Sequence, residues 1–201
     1  ARIRDIPGVQ SVETRVVFEV TLDVPGLEEP AVGRLVAVTD RQMPLLNRIA
    51  LRQGRYVEPG RDDEVLASEA FAQANHLALG DSVAAVINGK WRKLRIVGIA
   101  LSPEYIYEVG GGSIFPDNRR FGVLWMGRSA LAAALNMQGA FNDVTLALTH
   151  GASEAGVIQR LDLILERYGG IGAYGRADQV SNRFISDEIY HGLTYDAPAE
   201  T

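Results

Sequence analysis

The feature that most constrains this chain is a two-residue turn, Asn88-Gly89, set between two apolar-rich runs. A type I′ hairpin turn needs positive φ at both central residues, and Asn-Gly supplies it. Ser82–Ile87 and Lys90–Ala100 are therefore expected as paired strands. Upstream, Glu64–Ala67 is a short apolar run that suits a strand, and Ser68 follows as a helix N-cap whose hydroxyl can accept a free backbone N–H of the first turn. Glu69 then sits where the helix dipole favours an acid. The helix through Ala70, Phe71 and Ala74 is expected to end at Asn75-His76 with a residue of positive φ. Gly54 and Pro59-Gly60 break the chain before it. Leu51–Tyr107 thus reads as a small β-rich module of strand, helix and hairpin.

On either side the periodicity changes. Val12, Thr14, Val16, Phe18, Val20 and Leu22 alternate with Ser11, Glu13, Arg15, Glu19 and Thr21, which predicts one long strand with a buried and a wet face. Ala31–Thr39 is a second strand. Asp40 is expected to cap a short helix holding Met43, Leu46 and Ile49, with Pro44 tolerated in its first turn. After the module come a strand at Phe121–Met126, an alanine-rich helix at Arg128–Met137 and a strand at Val144–Thr149. Ser153 caps a helix with Val157, Leu161, Ile164, Leu165 and Tyr168 on one face, stopped by Gly169-Gly170. A brief extended piece at Ala173-Tyr174 precedes a last helix, capped by Asp178 and carrying Val180, Phe184 and Ile189. The expected fold class is α+β, mixed α/β, in two lobes. Residues 1–50 and 105–190 build the larger α/β lobe, residues 51–104 form the inserted β-rich module, and 191–201 is a frayed tail. Such an insertion is tolerated when its ends lie close together at the surface.

Composition narrows the function. At 201 residues the chain fits one large domain or two small ones. A net charge of −5 argues against nucleic-acid binding. The absence of cysteine removes disulfides, thiolate metal sites and a cysteine nucleophile. No apolar run approaches the roughly 18 residues needed to span a bilayer.

Each candidate for chemistry has a plainer explanation. Gly170, Gly172 and Gly175 spell G-x-G-x-x-G, but a helix precedes them where the dinucleotide fingerprint needs a strand. Ser153 lies between a strand and a helix like an elbow nucleophile, yet Ala155 stands where the second glycine belongs, and an N-cap explains the serine. His76, His150 and His191 have no ligand spacing, and Asp62, Asp63 and Glu64 lack a calcium-loop pattern, so no metal is expected and the acidic run reads as a solvated turn. Arg119-Arg120 can clamp a carboxylate or phosphate, or bond Asp117. The crossing segment is the best candidate for binding. Tyr105, Ile106, Tyr107, Phe115 and Pro116 crowd among glycines, where they suit a ligand or partner, or else seal the seam between lobes. The candidate ligand- or partner-binding residues are therefore Tyr105, Tyr107, Phe115, Arg119 and Arg120, with no catalytic residue and no cofactor.

The order of RQGRYVEPG, DEVLASEAFAQANHLALGD and INGKWRKLRIVGI resembles the extracytoplasmic domain of MacB/FtsX-type ABC transporter permeases, over roughly Ile6–Ile189. The resemblance implies a two-lobed domain between two transmembrane helices, on the extracytoplasmic (periplasmic) side of a bacterial membrane. The membrane anchors would lie outside this chain. It also implies ATP hydrolysis on a separate ABC ATPase subunit or domain, a second permease copy as a further partner, and Gln179–Ile189 as a lever toward the membrane. No segment stands out that would dock an outer-membrane partner. The competing expectations are a soluble hydrolase using Ser153 or Arg119-Arg120, and a non-catalytic envelope scaffolding or adhesion module.

Overall fold

The computed structural model describes residues 2–40, 44, 46–105 and 117–179. Among these the chain order is β1 (Val9–Arg15), β2 (Val17–Asp23), β3 (Ala31–Val38), β4 (Ala50–Gly54), β5 (Glu64–Ser68), α1 (Glu69–Ala74), β6 (Ser82–Ile87), β7 (Lys90–Leu101), β8 (Phe121–Gly127), α2 (Arg128–Ala134), β9 (Asp143–Leu148) and α3 (Glu154–Leu165). Short 3₁₀ turns follow at Glu166–Tyr168 and Arg176–Asp178. The fold is α+β, with strand predominating. It divides into two compact units, residues 13–145 and residues 1–12 with 146–201.

The first of these units is a closed sheet. Its strands run β4-β7-β5-β8-β3-β2-β6, and β6 pairs again with β7. The long β7 makes closure possible. Its first half, Lys90–Arg95, runs antiparallel to β6, Arg95–Ala100 lie parallel to β5, and Gly98–Leu101 lie antiparallel to β4. Asn88 and Gly89 take φ of 50° and 73°, so the hairpin that starts β7 has the turn its sequence calls for. A small closed barrel is filled by its own inward side chains. Here those are Val20, Leu22, Leu35, Val65, Ala67, Val83, Ala85, Ile87, Leu94, Ile96, Leu124 and Met126, with Phe71 of α1 and Leu131 of α2 in the same core.

Two glycines make that filling fit. Gly33 of β3 and Gly122 of β8 are register partners. A Cβ on Gly33 would collide with Leu22, and one on Gly122 with the Phe71 ring. The missing side chains are the space that these two large ones occupy. On the outer face Val36, Val38, Leu66, Phe121, Val123 and Trp125 form a second core, covered by Ile49, Val57 and the partly buried Tyr56 and Tyr105. β8 is consequently buried along its whole length.

Several expectations need correction. Residues 51–104 are not a separate insert: β5, β6 and β7 pair with β8 and β2 in the same sheet as the flanking strands. Their edges are completed only by those neighbours. The single strand expected over Val12–Leu22 breaks at Val16, whose carbonyl accepts the Ala37 N–H at 2.8 Å. The Asn142 side chain then bonds both backbone groups of Val17, at 2.8 and 2.7 Å, in place of a neighbouring strand. Ser68 precedes α1 but does not cap it; its hydroxyl accepts the Val123 N–H at 3.3 Å. Asp40 likewise serves a distant helix, accepting the Ser129 N–H at 3.2 Å and the Ser129 hydroxyl at 2.6 Å at the start of α2. Leu46 and Ile49 are not helical, and Met43 lies outside the described residues. Ala173-Tyr174 joins no sheet, and the last helix expected beyond Gln179 also lies outside them.

In the second unit α3 is the main element. Ser153 caps it by accepting the Gly156 N–H at 3.2 Å, and Val157 and Leu161 are its buried residues. Gly169 closes the following turn in the left-handed region with φ 82°. β1 and β9 form a separate two-stranded ribbon.

Gly122→Ala is expected to lower stability by about 1–3 kcal/mol, the usual cost of overpacking a closed core. Adding Phe71→Leu should recover part of the loss. Urea unfolding midpoints of the two variants and the parent measure both effects, and a neutral Gly122→Ala would mean that Phe71 does not occupy the space.

Candidate functional site

Of the aromatics in the crossing segment, Tyr105 is described, and Tyr107 and Phe115 lie outside the described residues. Tyr105 is not an exposed ring awaiting a ligand. Its ring meets the edge of Trp125 with centroids 6.3 Å apart and planes at 61°, inside the outer core. Burial, with the charge of Glu104 beside it, pushes its phenol above the ordinary range.

Directly before it, Glu104 receives a two-pronged grip from Arg15. Arg15 Nη1 and Nη2 donate to the two carboxylate oxygens at 2.6 and 2.7 Å, and Nε donates to Asp143 Oδ1 at 2.7 Å. Asn47 adds a bond to Glu104 Oε2 at 3.0 Å. Arg15 is 9% exposed. Burial alone would discourage its charge, but the bonds and charges of Glu104 and Asp143 more than offset that, so its pKa is raised. Parallel guanidinium–carboxylate bonds are among the stronger polar contacts and fix geometry as well as charge. The grip ties the end of β1 to the end of β7 and the start of β9.

Arg119 and Arg120 stand apart from this cluster. Arg120 pairs with Glu29 at 2.7 Å, both side chains more than half exposed, so the pair contributes little. Asp117 Oδ1 accepts the backbone N–H groups of both arginines, at 3.1 and 3.2 Å, and not their guanidinium groups. Arg119 lines an open depression of about 410 Å³ with Pro25, Gly26, Asn75, His76, Leu77, Asp81 and Ser82. His76 is held there with φ 55°, the helix end expected of it. Asp81 faces the same space, its Oδ2 occupied by the Ala78 N–H at 2.8 Å. The depression has polar groups of both signs and no nucleophile paired with a base.

A third cluster was not legible in the sequence. Glu64, grouped there with Asp62 and Asp63 as a wet turn, is fully buried. Arg55 grips both its oxygens at 2.8 and 2.6 Å, Arg95 donates at 2.9 Å and the Glu58 N–H at 3.1 Å. Hydrogen bonds from Arg55, opposed by burial and helped by the Glu58 N–H, hold the Glu64 carboxyl at about 2. The signal available in sequence was the set of arginines at 55, 61 and 95, but nothing local brings Arg95 to Glu64. Their adjacency comes from the β5–β7 register.

The remaining motifs are structural. The Ser153 hydroxyl is spent as a cap. Gly170, Gly172 and Gly175 follow a helical turn and lead into another, with no strand before them. Among the described residues no three His, Asp or Glu side chains gather as a metal site.

No family model and no curated protein matches this chain. Solved structures do. The extracellular domain of the ABC-type transporter YknZ from Gram-positive bacteria superposes with a TM-score of 0.51 at 15% identity, covering 86% of this chain and 83% of that one. The chain has the fold of the YknZ extracellular domain. The periplasmic region of MacB from Actinobacillus actinomycetemcomitans is also similar, with a TM-score of 0.47 at 14% identity over 98% of this chain and 81% of its own. For a YknZ-like fold, the two arginine-centred clusters and the Tyr105–Trp125 contact are features of this chain's own residues.

Tyr105→Ala should destabilise the fold, by less than the about 3–5 kcal/mol of a fully buried aromatic truncated to alanine, because its ring is only partly buried. A urea titration reads the loss; an unchanged midpoint would return Tyr105 to the list of free binding residues. Glu64 yields a second expectation. It titrates near 2 when folded and near 4.5 when unfolded, so the unfolded chain binds the extra proton between these values. Its contribution is complete above about 4.5 and is lost as pH falls toward 2. Glu64→Gln should flatten that part of the stability–pH curve.

Proposed function

We propose that this chain is the extracytoplasmic domain of an ABC-type transporter permease, a non-catalytic part that engages cargo or a partner and carries motion driven by ATP hydrolysis elsewhere. The observation that carries this reading is the fold match to the YknZ extracellular domain over 86% of this chain and 83% of that one. The order of the sequence motifs supports it independently. In this reading ATP is bound and hydrolysed by a separate ATPase subunit or domain, and the membrane-spanning helices lie outside residues 1–201. No described helix is long and apolar enough to cross a membrane.

The physical character of the barrel fits a body that moves as a piece. Its strands close on themselves, its interior is filled, and Arg15 fastens three chain segments at one place. The hydrolase reading has nothing comparable, since Ser153 is a helix cap and Arg119 lines an open depression without a catalytic pair.

Location is directly measurable because the chain contains no cysteine. Gln73 is exposed on α1. In the full-length protein, with any other cysteines replaced, Gln73→Cys should react with a membrane-impermeant maleimide in intact cells. Reaction only after the membrane is permeabilised would contradict an extracytoplasmic location.

A further inference from the structure

The β6–β7 hairpin presents a combination that neither the fold nor the clusters above require. Trp91 is 67% exposed, although tryptophan is a large apolar side chain and the chain's other tryptophan, Trp125, is buried at 2%. Lys93, two residues on from Trp91, shares its face of β7, while the sequence neighbours Lys90 and Arg92 fall on the other. Arg92 reaches Asp62 at 3.6 Å, a long contact with an exposed carboxylate. Lys90 and Lys93 enter no ion pair among the described residues; across the sheet Lys93 registers with Ala84 and then Asp23, and Lys90 registers with Ile87. The closed barrel and the Asn88-Gly89 turn hold this tip rigid, so its ordering is complete before any ligand arrives.

An exposed indole at a hairpin tip that also carries two ammonium groups is matched to a membrane surface. The ring settles at headgroup level, with its apolar body toward the acyl chains and its N–H toward water. The cations meet anionic headgroups there. We infer that the hairpin tip, Trp91 with Lys90 and Lys93, is a contact site for anionic phospholipid. The charge argument selects lipid over an apolar protein groove, because a protein groove would leave two strongly hydrated ammonium groups to be desolvated at its rim. The site leans on the transporter reading only for the nearness of a membrane. Its chemistry can be tested on the 201-residue chain alone.

The test uses vesicles of phosphatidylcholine with and without phosphatidylglycerol, read by tryptophan emission and co-sedimentation. Because Trp125 is already buried, a shift of the emission to shorter wavelength reports Trp91. The shift and the sedimentation should appear with phosphatidylglycerol, be absent with phosphatidylcholine alone, and be reversed by salt. Trp91→Phe should abolish the shift. Lys90→Gln with Lys93→Gln should weaken partitioning roughly 25-fold, about fivefold per cation removed, with an unchanged melting curve. No shift on either vesicle overturns the inference, as does an equal shift on both, or a shift that survives in Trp91→Phe. Failure here, together with maleimide labelling of the Gln73→Cys variant in intact cells, would remove the lipid site and leave the transporter reading standing.

Discussion

The fold depends on β8 being accepted along both edges and both faces. It lies parallel to β3 on one side and antiparallel to β5 on the other, and all of its residues are buried. The β3 ladder runs along the whole strand, the β5 ladder takes Leu124–Met126, and the Ser68 hydroxyl accepts the Val123 N–H; a buried group left unpaired costs about 1–3 kcal/mol. β8, together with the β2–β6 pairing, therefore joins what precedes residue 50 to what lies between 50 and 101, and neither half has a complete sheet without it. β7, whose first half returns to β6, closes the edge that β6 would otherwise leave open to another chain, with β4 alone at an edge, against the second half of β7.

Charge plays a different part. The two grips, a buried Arg15 on Glu104 and Asp143, and a buried Glu64 held by the more exposed Arg55 and Arg95, each take a charge out of water, which is costly and yields little net stability against well-packed apolar groups. Removing one partner would leave the other stranded, which costs far more. Their effect is to select one arrangement of segments distant in sequence. Glu64 gathers the exit of β4 and the middle of β7; Arg15 gathers the ends of β1 and β7 and the start of β9. Loose loop ends are thereby held to a barrel that is already rigid.

What was legible in the sequence was what the backbone demands locally. Asn88-Gly89, His76, Ser153 and Gly169 each adopt the conformation or bond read from the residue type, because a turn or a helix end can be satisfied only by a few residues. What was not legible was which distant group a polar side chain would meet. Ser68 and Asp40 have the chemistry of caps, and each sits before a stretch that is or was expected to be helical, but each serves an N–H far along the chain. Arg15 falls on the wet side of an alternating pattern and is buried nonetheless, since its two carboxylate partners arrive from residues 104 and 143. Tyr105 reads as an exposed aromatic among glycines until Trp125 is placed against it. The closure of the barrel is of the same kind: the hairpin is local, and the pairing of β5 with β8 is not.

Native-state hydrogen exchange of the 201-residue chain tests barrel closure most directly. If β8 binds both halves, the core amides of β5, β6 and β7 open with those of β2, β3 and β8 in one cooperative unit of common free energy. A separate, lower-energy opening confined to residues 50–101, with β2, β3 and β8 still protected, would contradict it.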